Sequence, residues 1–368
     1  MKLRLMPVFL MTCGKSLFLG LGAAGMFFAF FTVGLRGAVA DPVERIKSFA
    51  TFESIDLQAL AGGEVMTQRG PLMKFRRGIS GESCYVVLKT VAETSKFIQT
   101  SGPLDDGEQG VNFQSYIQLP AKDEDFAKLK LNSERLPIRR LISGTLSASE
   151  QKADFAISRT EAGEMARTVK SLSGSAAKPV DIVRACWINV VKGRTAQFFQ
   201  TGLTKMTSYE MGASEVNPGA EMRSLMDERS SAGIAREFGG LLQDVGLGAT
   251  APQNRLQPAI NYCELLNWEL MSTFDVGAVY SRDLEGGGCQ IFDCQYYSSG
   301  IYYVSMCFFE LWPVKIGGKD ATLVWRADLI AAPTLEITRG IERMAYGSLM
   351  MKEIKKSIKN FQRIILTK

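Results

Sequence analysis

The stretch Ala321-Thr322-Leu323-Val324-Trp325-Arg326-Ala327-Asp328-Leu329-Ile330, with the run that follows it, decides the reading of this chain. In a strand successive side chains alternate between faces, so Leu323, Trp325, Ala327 and Leu329 share one side and Thr322, Arg326 and Asp328 the other. One face is expected to be packed and the other at least partly polar. Pro333 then opens roughly thirty residues in which Ile337, Ile341, Met344, Ser348, Met351, Ile354, Ile358, Phe361 and Ile365 recur at steps of three or four. That spacing predicts one helix with a single apolar stripe, broken only by Ser348. Gly340 and Gly347 each cost about 1 kcal/mol against Ala inside a helix, which points to close approach of the helix to something flat, such as a sheet. Lys352, Lys355, Lys356, Lys359, Arg363 and Lys368 crowd the far end, where they suit the helix dipole and form a solvated face.

Working outward, residues 274–283, 289–297 and 301–314 are strand-like and rich in Val, Ile, Tyr, Phe and Trp. Gly286-Gly287-Gly288, Ser298-Ser299-Gly300 and Gly317-Gly318-Lys319-Asp320 separate them, which predicts an antiparallel meander. Residues 246–258 read as a linker. Residues 158–247 read as helical: Ser158 and Glu161 form a capping box, Pro179 opens a helix burying Val183, Trp187, Val190 and Phe198, and Asn217-Pro218 starts another. Ile234, Phe238, Leu241, Leu242 and Val245 make one apolar face closed by Gly246. Aromatic residues at helical spacing, Trp187, Phe198, Phe199 and Phe238 among them, read as core. Nearer the N-terminus, residues 41–60 read as helix, 64–69 and 74–88 as strands, 92–98 as a short helix, 111–117 as a strand, 123–131 as a short helix and 138–146 as extended. Residues 101–110 read as a loop whose acidic group, Asp105-Asp106-Gly107-Glu108, lacks EF-hand spacing and is expected to be a solvated turn.

The resulting fold class is α+β: an antiparallel β-sheet gripping a long C-terminal helix, with an all-helical insertion. The order of elements over residues 62–146 and 270–364 resembles the helix-grip fold of the START-like, or SRPBCC, superfamily, with the block at 158–247 as an insertion. The resemblance implies a cavity between sheet and long helix that typically holds lipids, sterols or polyketides, and it carries over no ligand residue. The segments are then 1–40, a leader; 41–157, the first part of the α+β domain; 158–257, the helical insertion; and 258–368, the meander and long helix.

The leader sets the expected compartment. Lys2, Arg4 and Lys15 precede an apolar run over residues 16–35, and Ala38-Val39-Ala40-Asp41 is a peptidase site. The reading is export to the periplasm or outside the cell, with a cut after Ala40; the alternative keeps residues 16–35 as a membrane anchor. Gly20-Leu21-Gly22-Ala23-Ala24-Gly25 matches a dinucleotide-binding pattern but has no strand before it. Ser149-Glu150-Gln151-Lys152 matches SxxK without its partner motifs and reads as a chance match.

Composition then excludes much chemistry. The formal charge is +5, and removing Lys2, Arg4, Lys15 and Arg36 of the leader leaves 5 − 4 = +1, too near neutral for bulk nucleic-acid binding. There is no histidine, which removes Ser-His-Asp and Cys-His nucleophile systems and His-based zinc sites. Cys84, Cys186, Cys263, Cys289, Cys294 and Cys307 follow the leader; buried thiols and disulfides both remain open, but Cys289 and Cys294 point to opposite faces of one strand. No catalytic residue, metal or cofactor is assigned. The leading expectation is non-catalytic binding of an apolar, lipid-like ligand, with Tyr303, Trp325, Met344 and Met351 as cavity candidates. Expected partners are a hydrophobic small molecule or lipid and no nucleic acid, with membrane contact only through the leader. The alternatives are an envelope scaffold using the helical insertion, and a histidine-independent enzyme. For the latter, Arg326, Asp328, Arg339, Glu342 and Arg343 form a polar cluster that reads equally as an ion-pair network.

Overall fold

The structure, a computed structural model, describes residues 41–100, 111–148, 155–174, 176–211, 214–247, 258, 260–268 and 270–367. The leader, the acidic turn at 105–108, the SxxK match at 149–152 and most of the linker at 246–258 lie outside the described residues.

Eight antiparallel strands form the main sheet. They are β1 (Met66–Arg69), β2 (Gly78–Val87), β3 (Val111–Tyr116), β6 (Ile260–Trp268), β7 (Met271–Asp283), β8 (Cys289–Ser298), β9 (Val304–Ile316) and β10 (Lys319–Ala331), in the order β1-β2-β10-β9-β8-β7-β6-β3. A separate small hairpin joins β4 (Tyr209–Met211) to β5 (Ser214–Val216). β6 to β10 form the meander expected from the Gly-rich turns, preceded by one more strand than the sequence reading found. The positive φ of Gly286, Gly287, Gly317 and Gly318 provides the left-handed turns that an L side chain resists.

Both faces of the sheet are covered. One, here the block face, carries Phe274, Val276, Phe292, Tyr296, Phe308, Leu323 and Trp325. It packs against α1 (Pro42–Lys47), α2 (Leu57–Ala61), α4 (Leu136–Leu146), α5 (Arg159–Ser173), α6 (Pro179–Thr201), α7 (Pro218–Met226), α8 (Ala232–Glu237) and α9 (Gly239–Asp244). Trp187 of α6 is fully buried, stacked on Phe274 at 5.0 Å between ring centres, and donates its indole N–H to Thr145 at 3.0 Å. Burying one large apolar side chain contributes about 1.5–3 kcal/mol, so this interface dominates the fold energetically. Buried polar contacts fix its register: Glu310 accepts from Trp312 Nε1, Gln290 Nε2 and Arg45 Nε, tying α1 to β9. Arg194 and Glu161 pair at 2.6 Å beside the Ser158 capping box.

The opposite face, here the grip face, carries Tyr85, Val87, Ile291, Phe309, Val324 and Ile330 and packs against α3 (Val91–Thr100) and α11 (Gly340–Leu366). α11 runs along β1 and β2, while α3 sits over β8, β9 and β10. Phe361 of α11 meets Tyr85 and Phe97 edge-on, linking the two helices above the sheet. The chain is therefore an α+β protein with a large antiparallel sheet and a C-terminal helix packed on it, an arrangement compatible with a helix grip. No helix among the described residues is long and apolar enough to cross a membrane.

Several local expectations are corrected. Residues 138–146, read as extended, form α4: Pro137 starts it, and Ile138, Leu141 and Thr145 bury one helical stripe. Residues 41–60 hold two short helices, α2 being capped by Asp56, which accepts from the amides of Gln58 and Ala59. The long C-terminal helix does not begin at Pro333. α10 (Pro333–Ile337) ends, Thr338 and Arg339 are extended, and Gly340 at φ +48° starts α11 anew. The apolar stripe is buried at Met351, Ile354, Ile358 and Ile365 and partly buried at Phe361, whereas Ile337 and Ile341 are 78% and 79% exposed. Gly347 does permit close approach, because a Cβ there would run into the Arg69 side chain on β1. The face of β10 read as partly polar is polar and yet buried, since α3 and α11 lie over that side.

Candidate functional site

On the grip face a row of polar side chains crosses the sheet from β2 to β3. Strand register places them together: Ser83 faces Arg326, Asp328 faces Cys307, Cys307 faces Asp293, and Asp275 faces Glu264, which faces Gln114. Ser83, Arg326, Asp328, Asp293, Gln295, Asp275 and Glu264 are all buried. Within a strand they stand two apart, and the register aligns them across strands, so the pleat turns them all to one side.

At one end Arg326 clasps Asp328 through two charge-assisted bonds, Nε to Oδ2 at 2.8 Å and Nη2 to Oδ1 at 2.6 Å. The Arg326 guanidinium also lies over the Phe309 ring at 5.4 Å. Burial lowers the pKa of Arg326, but the charge and hydrogen bonds of Asp328, with Cys307 and Tyr85, together raise it by more, so the guanidinium stays protonated. Ser83 Oγ, fully buried and opposite Arg326, has no hydrogen-bond partner among the described residues. Burial pushes Asp293 up to about 7, against the Tyr262 hydrogen bond and the Arg326 charge. Tyr262 Oη donates to Asp293 Oδ1 at 2.8 Å, reaching across β7. It can do so because β7 has Gly277 beneath it, where a Cβ would collide with the Tyr262 ring.

At the other end Tyr302 Oη donates to Asp275 Oδ2 at 2.8 Å and also contacts Gln295 Oε1. Thr273 donates to Asp275 Oδ1 at 3.2 Å. Burial pushes Asp275 up to about 6, opposed by the bonds it accepts. Glu264 accepts from Gln114 at 2.7 Å, and burial followed by the neighbouring Asp275 and Asp293 charges drives its carboxyl well above the usual range. The row thus holds carboxyls that favour the protonated form, one fixed cation and several hydroxyls. It can exchange hydrogen bonds with a polar group and bind or release protons near neutral pH. Beside it Tyr85 and Phe309 of the sheet and Met351, Ile354 and Ile358 of α11 belong to one apolar cluster. Among the described residues no group of three or more His, Cys, Asp or Glu is placed to hold a metal ion.

The cavity candidates fall on both sides of the sheet. Met351 is buried against Gly81 on the grip face, and Met344 is 38% exposed on the first turns of α11. Tyr303 and Trp325 belong to the block face: Arg77 lies over the Tyr303 ring, and Trp325 donates to Glu82 at 2.9 Å while meeting Phe49 and Phe238. Strand alternation turns Trp325 away from α11, and Tyr303, just before β9, packs in the same block-face cluster. The polar cluster divides as well. Arg326 and Asp328 are joined, but Arg343 donates to the carbonyls of Phe75, Arg76 and Gly78, Arg339 to those of Glu336 and Thr338, and Glu342 is exposed. Arg339 and Arg343 thus bond backbone carbonyls of the β1–β2 loop, β2 and the α10–α11 junction rather than the ion pair.

Asp293, Glu264, Asp275, Tyr262, Gln295, Tyr302 and Ser83 were missed from sequence. Asp293 and Gln295 stand two apart in a strand-like segment, as Arg326 and Asp328 do, a usable signal; Glu264 lies on the unrecognised β6. All six described cysteines are free and buried, and Cys289 and Cys294 do lie on opposite faces. No protein-family model matches this chain, and no curated protein matches it.

Proposed function

We propose that residues 41–368 form an exported, non-catalytic binding protein for an amphipathic, lipid-like ligand. The apolar body of that ligand lies between the sheet at Tyr85 and Phe309 and α11 at Met351, Ile354 and Ile358. Its hydrogen-bonding head meets the buried polar row at Asp293, Asp328 and Arg326. The observation that carries this reading is that row itself. Burying carboxyls and a guanidinium costs free energy that apolar residues of similar volume would not, so their retention beside an apolar wall points to a ligand. The element order supports a START-like helix grip as the scaffold, with the helical block as an addition to it. Native mass spectrometry of gently purified protein tests the reading: a bound amphiphile is expected, and Asp293→Asn with Asp328→Asn should release it. Absence of any co-purifying mass, together with an experimental structure whose grip face is filled by the protein's own side chains, refutes it. Export is tested by N-terminal sequencing of the mature protein, expected to begin at Asp41.

One observation favours a second reading. Asp293, with a pKa near 7 and within the electrostatic reach of Arg326, has the poise of a general base in a histidine-free enzyme. Activity in a screen of ester, glycoside and phosphate substrates, abolished by Asp293→Asn, would replace the binding reading with this one.

A further inference from the structure

The junction between α10 and α11 presents apolar side chains to solvent. Ile337 is 78% exposed, Ile341 79% and Met344 38%, and Leu72 in the β1–β2 loop is 62% exposed. These positions are held together. Arg69 Nη1 donates to the Met344 carbonyl at 3.1 Å, and Arg343 donates to the carbonyls of Phe75, Arg76 and Gly78, so both ends of the β1–β2 loop are fastened to the first turns of α11. The same junction is basic: Lys74, Arg76 and Arg339 are exposed. Arg339 and Arg76 lie close enough to Arg343 for their charges, after burial, to lower its pKa. Nearby acids offset only part of this: Arg69, Lys74, Arg76, Arg77, Arg339 and Arg343 outnumber Glu221, Glu228, Glu336 and Glu342, although the Glu228 charge raises the Arg343 pKa. Glu336 and Glu221 are taken by Arg77, Glu228 accepts from the Phe75 amide, and Glu342 remains as an exposed carboxylate.

Two protruding isoleucines beside clustered cations match an interface with acyl chains below and phosphates at the level of the headgroups. We propose that the α10–α11 junction and the β1–β2 loop dock on an anionic phospholipid bilayer, with Ile337 and Ile341 entering the acyl boundary and Lys74, Arg76 and Arg339 meeting the headgroup phosphates. This contact is distinct from the leader and independent of any ligand on the grip face.

The test uses the full chain carrying Cys13→Ser, because the six remaining cysteines are buried and a new surface thiol can be labelled selectively. Ile341→Cys is labelled with an environment-sensitive fluorophore and mixed with vesicles of phosphatidylcholine, with or without phosphatidylglycerol. The expected result is a several-fold rise and blue shift of emission on vesicles containing phosphatidylglycerol and little change on pure phosphatidylcholine. The combined Lys74→Glu, Arg76→Glu and Arg339→Glu changes should abolish the response. A label at Lys319→Cys, at the exposed start of β10, should report water throughout. A leader that inserts in both vesicle types does not alter this comparison. The proposal is overturned by an unchanged signal at residue 341 on anionic vesicles, by an equal response on both lipids, or by a response without vesicles that grows with protein concentration. The last result would mean that the patch joins copies of the chain.

Discussion

Replacing Asp293 by Asn should change how stability depends on pH, and the expected size follows from burial. An ordinary aspartate titrates near 3.8, whereas burial pushes Asp293 up to about 7. The native state therefore holds this proton more tightly than the unfolded chain does. The stabilisation is full below pH 3.8 and is lost as pH rises through 7. Between those limits the contribution falls by about 1.4 kcal/mol per pH unit, or some 4 kcal/mol across the window. Asn has nearly the same shape as the protonated carboxyl, keeps an oxygen to accept from Tyr262 Oη and does not ionise. The variant should match the wild type at the acid end of the window and exceed it by about 4 kcal/mol at pH 8. Urea denaturation followed by tryptophan fluorescence at half-unit steps from pH 4.5 to 8.5 measures this, since urea leaves charge interactions unscreened. Titrating groups not coupled to Asp293 cancel between the two proteins, so the difference reports Asp293 together with its coupling to Glu264. A difference that stays flat over the range would show that Asp293 is ionised and solvated in the native protein, and the account of the polar row would fail.

Asp275→Asn should act in the same direction over a narrower window, from pH 3.8 to about 6, and gain roughly 3 kcal/mol by pH 7.5 in the same titration. Gly277→Ala should force the Tyr262 ring off Asp293 and cost about 1–3 kcal/mol by overpacking; retained stability together with an unshifted Tyr262 ring resonance would contradict the packing described. Removing residues 158–247 should leave an insoluble remainder, because Phe274, Tyr296, Phe308 and Trp325 would lose their cover; a soluble, cooperatively folding remainder would show that the block is not part of the core. With the leader removed, the native protein should resist thiol reagents and expose six reactive thiols in denaturant, as mass labelling can count. Fewer than six would reveal a disulfide.

What could be read without coordinates was periodic and local. Alternation marked the last four strands of the meander, and glycine triplets and pairs marked their turns, because a pleated strand and a left-handed turn each restrict the residues that fit. Ser158 with Glu161 and Asn217 with Pro218 marked helix starts, because the first amides of a helix need an acceptor close in sequence. Parity alone separated Cys289 from Cys294. Short apolar runs were ambiguous: Ile138 and Leu141 suit a strand or a helix, and only packing against β7 shows them as helix. The polar row could not be assembled from any one segment. Its members come from β2, β3 and β6–β10 and meet only through strand register. Whether Arg326 and Asp328 face water or an interior was likewise settled only by the positions of α3 and α11, because burial depends on what lies above a face. Sequence by itself determined the kinds of elements and the sidedness of each strand, since both follow from backbone geometry within a few residues. The tertiary structure alone decided which sides meet, which carboxyls lose their water and which isoleucines keep it, because desolvation is a property of neighbours distant along the chain.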